Sequence, residues 1–387
     1  MSKYYIIAGE ASGDLHGGEL IRALREVDAG AEFVFLGGDN MAEAAGTAPR
    51  VHISDMAFMG FSEVLRNLNK VRRNLTVARK LLHDEHPDCL ILIDYPSFNL
   101  KVAAEAKKAG IKVYYYISPK VWAWKEWRVR TIKRLVDKMF VIFPFEVPYY
   151  AERHHWKVEY VGNPSVREID KAMAEVPALE DFRREHKLPS RPVIALLPGS
   201  RRGEIRNNLG VMLSAAKRFV QYRPVIAGAP GIEPSFYAAI TDAPVIYDST
   251  VALLRHSTAA LVTSGTATLE AALASTPQVA CYRSNGSKIT YNIMKHLLKV
   301  PYVTLPNLIA DRQVIPEMLL HLCKPEAVAE LLGTLTPANS SERRQMLEGY
   351  SLIRSKLGAG DAAMNTARAI RDDIASSFKA SEASAAQ

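Results

Sequence analysis

The apolar run Val193-Ile194-Ala195-Leu196-Leu197 stops at Pro198-Gly199, turns through Ser200-Arg201 and passes into Leu209, Met212, Leu213 and Ala216 at helical spacing. An apolar run without polar alternation suits a strand covered on both faces. The Pro-Gly pair ends it, and the period that follows is that of a helix. A buried strand, a tight glycine turn and a helix start restrict the fold to a parallel sheet with helices on its faces. Backbone N–H groups at such a turn, with a helix N-terminus behind them, suit an anion, and Arg201 adds a planar guanidinium for phosphate oxygens. An ordinary strand-to-helix connection with a solvated arginine pair has the same residues. The rest of the chain weighs between the two.

The first half repeats the design. Tyr4 to Ala8 reads as a strand, Gly9-Glu10-Ala11-Ser12-Gly13-Asp14 as its turn, and Leu15, Leu20, Ile21 and Leu24 as the helix that follows. This is how a doubly wound α/β domain opens. The turn is neither G-x-G-x-x-G nor a Walker lysine loop, so neither NAD nor ATP chemistry follows from it. Further strands are expected at Phe33–Leu36, Cys89–Ile93, Lys112–Ile117 and Lys138–Ile142. Parallel strands put their C-terminal ends on one edge, where open sheets bind ligands, so Glu10, Ser12, Asp14 and Asp94 are expected along one crevice. Asp94 at a strand end can be a general base tuned by partial burial, or a cap on the next helix. Asp14 carries the same ambiguity as a cap, and Glu10 is equally open.

The 387 residues exceed what one hydrophobic core usually holds, which predicts two domains. A net charge of +8 fits an anionic partner, whether nucleotide, phosphorylated substrate or acidic membrane surface. Cys89, Cys281 and Cys323 are odd in number and in no metal spacing, and read as reduced, buried thiols. The N-terminus goes straight into a strand with no signal-peptide core, and no apolar run has the length to cross a bilayer. A cytosolic protein, or one lying against a membrane from the cytosol, is expected.

Two stretches admit several readings. From Ser54 to Leu82, apolar Met56, Phe61, Leu68 and Leu75 alternate with Lys70, Arg72, Arg73 and Arg79. Such a segment can lie on an anionic membrane or accept acyl chains, although a core-facing amphipathic helix has the same pattern. Pro119 to Arg130 gathers Trp122, Trp124 and Trp127 with Lys120, Lys125, Arg128 and Arg130. Single-stranded nucleic acid, a lipid phosphate, or core aromatics with surface charges all fit. Without an RNA-binding motif elsewhere, nucleic acid is the weakest of these, and none is expected as a partner.

The second half keeps the rhythm. Ala259–Val262 runs into Thr263-Ser264-Gly265-Thr266-Ala267-Thr268-Leu269-Glu270, a second glycine turn opening a helix. Small hydroxyl residues beside Gly265 let a pyrophosphate approach the backbone, and Glu270 one turn on can accept from ribose hydroxyls. The expected organisation is an N-terminal α/β domain over 1–163, a linker helix within 164–190 and a second α/β domain over 191–350. A C-terminal helix over 351–375 and a disordered Ala/Ser-rich tail over 376–387 complete it.

Two tandem α/β domains, with nucleotide turns in the second and carboxylates in the first, suggest a GT-B glycosyltransferase: two doubly wound Rossmann-like domains facing across a cleft. The motifs go further. Gly9-Glu10-Ala11-Ser12-Gly13-Asp14, Met59-Gly60-Phe61-Ser62-Glu63-Val64-Leu65, Ser118-Pro119-Lys120-Val121-Trp122-Ala123-Trp124, Pro144-Phe145-Glu146, Leu196-Leu197-Pro198-Gly199-Ser200-Arg201, Ser264-Gly265-Thr266-Ala267-Thr268-Leu269-Glu270 and Leu305-Pro306-Asn307-Leu308 resemble the lipid-A-disaccharide synthase family, in order, over almost the whole chain.

The resemblance implies an inverting transfer in lipid A biosynthesis. UDP-2,3-diacylglucosamine gives its sugar to the 6-hydroxyl of 2,3-diacylglucosamine 1-phosphate (lipid X), forming a β(1→6) disaccharide and UDP. It also implies a UDP site in the second domain and an acceptor site in the first. No metal or cofactor is implied, and the sequence contains no Asp-x-Asp. Leaving-group charge would then fall to Arg201 and the helix N-termini. The expected substrate-binding residues are Ser12, Gly13 and Asn99 in the first domain, with Gly199, Ser200, Arg201, Ser264, Gly265, Thr266, Glu270, Asn307 and Glu317 in the second. The family is peripheral to the inner membrane, and its members can exchange C-terminal segments between subunits, which is compatible with a homodimer.

There is one departure. The family's Ile-Asp-x-Pro-x-Phe-Asn motif usually carries Asp between Pro and Phe, a candidate base, where this chain has Ser97. Serine holds no proton at neutral pH without a base of its own. The base is then Asp94, Asp14, Glu10 or Asp88, with Asp94 preferred, or the usual assignment was not the base. Another UDP-sugar enzyme, such as an epimerase or a polyisoprenoid-linked transferase, and a non-catalytic binder of a lipid precursor are the alternatives.

Overall fold

The computed structural model describes residues 2–56, 68–123, 125–283 and 301–385. The chain divides into two compact units, Met1–Pro164 with Ala359–Gln387, and Ser165–Gly358. Each is a parallel sheet between helices.

The first unit has strands β1 (Lys3–Ala8), β2 (Glu32–Gly37), β3 (Val51–His52), β4 (Cys89–Ile93), β5 (Lys112–Tyr116), β6 (Lys138–Val141) and β7 (Glu159–Tyr160). Their order is β3-β2-β1-β4-β5-β6-β7, so the winding reverses between β1 and β4. Alternate residues of β1 serve opposite faces. Tyr5 and Ile7 pack with Leu90, Leu92 and Tyr115, whereas Tyr4, Ile6 and Ala8 pack with Leu20, Leu24 and Ile91. That two-sided burial is why these strands read as continuous apolar runs.

The second unit has β8 (Val193–Leu197), β9 (Arg223–Ala227), β10 (Val245–Ile246), β11 (Ser257–Thr263), β12 (Gln278–Tyr282) and β13 (Glu317–Leu319), in the order β10-β9-β8-β11-β12-β13. Its winding reverses between β8 and β11. The two glycine turns read from the sequence follow these two strands.

Three expectations about chain organisation are corrected. The segment 164–190 is two helices, Pro164–Ala174 and Leu179–Glu185, and it belongs to the second unit because Phe182 and Leu188 are buried in that unit's core. The helix expected over 351–375 is interrupted: helix Ser341–Leu357 ends at Gly358, and Gly358 and Gly360 both take positive φ. The next helix, Ala362–Ala385, returns to the first unit, burying Ala363, Ala367, Ile370 and Ile374 there. It continues past Ser376, where a disordered tail was expected, because an alanine-rich sequence readily extends a helix already nucleated.

Of the Ser54–Leu82 stretch, residues 57–67 lie outside the described residues, and with them the Met59–Leu65 motif; so does Trp124. The described helix Leu68–Asp84 turns Ala78 and Leu82 into the core and leaves Arg72, Arg73, Arg79 and Lys80 exposed, the core-facing reading. All three cysteines are buried free thiols. Cys281 lies beside Cys323, and its Sγ donates to the Val279 carbonyl at 3.7 Å.

Candidate active site

In the first unit the chain reversal brings the turn after β1 beside the turn after β4. Asp94 and Tyr95 both hold left-handed backbone, φ 44° and 46°, which is costly for residues with a side chain. Four side-chain bonds hold the turn. Asn99 Nδ2 donates to the carbonyls of Ile93 and Asp94, at 3.2 and 2.7 Å. The Tyr115 hydroxyl also donates to the Asp94 carbonyl, and the Tyr95 hydroxyl donates to the Met56 carbonyl at 3.0 Å. Asn99 is completely buried, so the residue expected to bind substrate instead fixes the backbone of the turn.

The four candidate bases separate here. Asp88 stands at the N-terminal end of β4, the edge away from the ligand side, and accepts the Lys3 amide at 2.7 Å. Asp14 is 2% exposed and accepts from the amides of Gly38, Asn40 and Met41 and from Asn40 Nδ2, at 2.6 to 3.1 Å. It caps the helix Asp39–Ala45 rather than its own, and its acceptor capacity is filled. The bonds of Asp88 and Asp14 thus serve the fold. Glu10 occupies the N-cap of the helix Ala11–Val27 without capping it through its side chain, and its charge bears on the Tyr95 hydroxyl. Asp94 is half-buried. Burial raises its carboxyl above the usual range, against the pull of Lys120, the Tyr95 amide and His16. Among the four, Asp94 combines the ligand edge, partial access and a raised pKa. Ser12 is exposed at the start of the same helix, and Gly13 is buried against Ala8 and Ile93. Ser97 is exposed on the first turn of the helix Pro96–Lys108, where its Oγ accepts from Arg128 Nη2 at 3.2 Å.

In the second unit Gly199 takes φ 121° after β8, and Gly265 takes φ 144° after β11. A Cβ on Gly265 would meet nothing within 4 Å, so the backbone there is open to a ligand. At Gly199 the space is filled by Glu204, whose Oε2 accepts the Ser200 amide at 3.1 Å. Arg201 is the N-cap of the helix Arg202–Ala216; its side chain is 66% exposed, with Nη1 3.8 Å from Glu204 Oε1. Ser264 and Thr266 flank Gly265 at the entry to the helix Thr266–Leu273, and burial, with the Glu168 charge, raises the Glu270 carboxyl. Asn307 and Glu317, expected to touch substrate, are bonded to each other and to the backbone. Asn307 spans Val314 to Glu317, and Glu317 accepts from the amides of Val303 and Thr304 and from the Thr304 hydroxyl. They shape the loop before β13.

The family model described as Lipid-A-disaccharide synthetase matches residues 4–358. The chain belongs to the lipid-A-disaccharide synthase family. Relatives named lipid-A-disaccharide synthase include those of Nitrosococcus oceani, 40% identical with 92% of each chain covered, and Geobacter metallireducens, 38% identical over 92% of this chain and 93% of the relative. A Myxococcus xanthus relative of the same name is 39% identical over 94% and 96%. Among solved structures, the UDP-GlcNAc 2-epimerase from Neisseria meningitidis aligns with a TM-score of 0.65 at 15% identity, covering 96% of this chain and all of that one. The glycotransferase of kitacinnamycin aligns at 0.59 and 13%, covering 96% and 98%. At such identities these two share the fold. The chain is therefore a glycosyltransferase of the lipid-A-disaccharide synthase family with two GT-B-type Rossmann-like units.

In this member of the lipid-A-disaccharide synthase family a second cluster lines the ligand edge of the first unit, and of its residues only Trp122 carries a role in the sequence reading. After β5, Ile117 takes φ 64°, an outlier for a β-branched residue, and turns the chain into Ser118. The Ser118 and Tyr150 hydroxyls lie 2.6 Å apart, and Trp122 meets Phe145 edge-on with centroids 5.0 Å apart. Glu146 is buried beneath them. Burial pushes its carboxyl up to about 8, although the Phe143 amide donates to it at 3.1 Å. Burial of Trp122 settles its role as a core aromatic, whereas Trp127 is 67% exposed. A glutamate following Pro-Phe is the sequence signal that could have pointed here.

Proposed function

We propose that this chain joins UDP-2,3-diacylglucosamine to lipid X with inversion, giving the β(1→6) lipid A disaccharide 1-phosphate and UDP. Family membership over residues 4–358 carries the reading. In the proposed step Asp94 takes the proton of the acceptor 6-hydroxyl, O6 forms a bond to the donor's anomeric carbon, and the bond from that carbon to the UDP oxygen breaks. Charge developing on the leaving diphosphate is met by Arg201 and by the amides at the starts of the helices after Gly199 and Gly265. The raised carboxyl of Asp94 supports its role, since a base is most effective when its pKa approaches the working pH. Ser12, Gly13, Ser264, Thr266 and Glu270 belong to the substrate contacts in this reading.

The same reading puts the protein on the cytoplasmic face of the inner membrane as a peripheral homodimer. Exposed Trp127 beside the exposed cations Lys125 and Arg130 supports contact with an anionic surface. Among the described residues no helix is long and apolar enough to cross a membrane.

The test is incubation of purified protein with both substrates in the presence of EDTA, followed by mass spectrometry. A tetra-acylated disaccharide 1-phosphate with stoichiometric UDP is expected. UDP without disaccharide would mean hydrolysis or another acceptor, and no turnover with or without added metal would leave a lipid-precursor binder. Flotation with anionic liposomes and light scattering test the membrane and dimer parts.

A further inference from the structure

Arg128 is the first residue of the helix Arg128–Leu135 and lies beside the helix that follows the Asp94 turn. Its Nη2 donates to the exposed hydroxyl of Ser97 at 3.2 Å, and its guanidinium carbon stands 5.5 Å from the centroid of the exposed Trp127 ring. Among the described residues no carboxylate lies within ion-pair reach of it. Elsewhere in this unit Arg50, just before β3, is paired with Glu85 at 2.7 Å, and Lys112 of β5 with Asp373 at 2.6 Å. The charge of Arg128 bears on the Tyr115 hydroxyl, which itself holds the Asp94 carbonyl, and Lys120 bears on the Asp94 carboxyl. The guanidinium, the Ser97 hydroxyl and the first turn of the helix Pro96–Lys108 thus converge one step along the same strand-to-helix turn that carries Asp94.

We propose that Arg128 and Ser97, with Lys120 nearby, bind the phosphate monoester of the acceptor. A planar guanidinium presents parallel N–H donors to two phosphate oxygens, and a hydroxyl can donate to a third. A single pyranose ring separates the acceptor's 6-hydroxyl from its anomeric phosphate. One turn therefore supplies a base for the first and a cation for the second, and a sugar gripped at both ends has its hydroxyl fixed at Asp94. This makes Arg128 a specificity residue: it selects the phosphorylated acceptor. The inference rests on the first unit holding the acceptor, as proposed above.

The experiment compares lipid X with its dephosphorylated counterpart in neutral detergent micelles, for the wild type, Arg128→Ala, Arg128→Lys and Ser97→Ala. Disaccharide formation is read by mass spectrometry. The wild type is expected to favour the phosphorylated acceptor in kcat/KM by about 10- to 100-fold, the range of one charge-assisted contact. Arg128→Ala should erase that preference by slowing only the phosphorylated acceptor, and Arg128→Lys should keep part of it. Ser97→Ala, which removes the hydroxyl donor, should raise KM for lipid X by about 2- to 10-fold and leave the dephosphorylated acceptor unchanged. If Arg128→Ala does not fold, Arg128→Lys and Ser97→Ala decide. An equal loss for both acceptors, or an undiminished preference, would overturn the proposal. So would an effect of Arg128→Ala seen only after anionic phospholipid is added, which would assign the guanidinium to a headgroup. A wild type inert towards both acceptors would instead overturn the reaction itself, and the inference with it.

Discussion

The ring of Tyr95 fills the space that a side chain on Gly9 would need: a Cβ there would overlap Cδ1 and Cγ of the ring. Tyr95 has little room to yield, because its backbone is left-handed and its hydroxyl is held by the Met56 carbonyl. Gly9→Ala should therefore cost about 1–3 kcal/mol of stability, the usual range for overpacking, and displace Asp94 with the turn. Gly210→Ala is the control, since a Cβ there meets nothing within 4 Å on an exposed helix position; it should stabilise by about 0.5–1 kcal/mol. Denaturant unfolding of both checks the contrast, and equal effects would contradict it.

Asp94→Asn should lower kcat by about 100- to 10,000-fold, the range for losing a general base, with little change in stability. A base must be unprotonated to act. Burial raises the Asp94 carboxyl, so the acid limb of the wild-type kcat profile should lie above the ordinary carboxylate pKa of about 3.9. Asp14→Asn should behave differently, losing stability because the amides of Gly38 and Met41 lose a charged acceptor. If Asp14→Asn slows turnover at unchanged stability and Asp94→Asn does not, the two assignments are reversed.

Arg201→Ala should reduce turnover by about 100- to 1,000-fold, the loss typical of one donor to a developing anion, and leave lipid binding intact. The side chain's 66% exposure and its loose 3.8 Å pairing with Glu204 leave little of it in the packing, so the melting temperature should stay close to the wild type. Unchanged turnover would remove Arg201 from the donor site.

Glu146 should make stability fall as pH rises. Burial holds its carboxyl up to about 8, above its ordinary 4.5, so the folded state keeps a proton that the unfolded chain releases between those values. This contribution is fully present below about 4.5 and is lost as pH climbs through about 8. Glu146→Gln keeps the shape and removes the titration, so its stability relative to the wild type should improve from pH 5 to 9. Parallel stability curves for the two proteins would exclude the role.

Asp373 should do the reverse. Burial alone would raise its carboxyl, but hydrogen bonds from Lys112, Lys138 and the Tyr114 hydroxyl outweigh that and hold it down to about 2. Its contribution is present above the ordinary 3.8 and is lost as pH falls towards 2. Asp373→Ala should cost about 1–2 kcal/mol at neutral pH and about half of that at pH 3, since these are charged but partly exposed hydrogen bonds and the carboxyl is only partly released there. Denaturant unfolding at the two pH values reads the difference. A cost unchanged at pH 3 would point to packing rather than charge.

What the sequence determined is local. Val193–Leu197 and Cys89–Ile93 declare buried strands because both faces of a parallel sheet are covered, and Gly199 and Gly265 mark turns because each takes a positive φ unfavourable to L side chains. Those patterns, together with motifs running along most of the chain, made the fold class and family legible. What the tertiary structure decided is which groups have acceptors and donors left over. Asp14 looks like a cap for its own helix, yet its carboxylate is taken by the amides of Gly38 to Met41, brought to it by the pairing of β1 with β2. Asn307 and Glu317 look available, yet each bonds the other and the intervening backbone. The return of the helix Ala362–Ala385 to the first unit was equally hidden, since its small apolar face fits many sheets and the charges of Lys112 and Lys138 meet Asp373 only once β5 and β6 lie side by side. Sequence fixes each residue's chemistry, and burial and pairing across distant strands decide whether that chemistry is spent on the fold or left for a substrate.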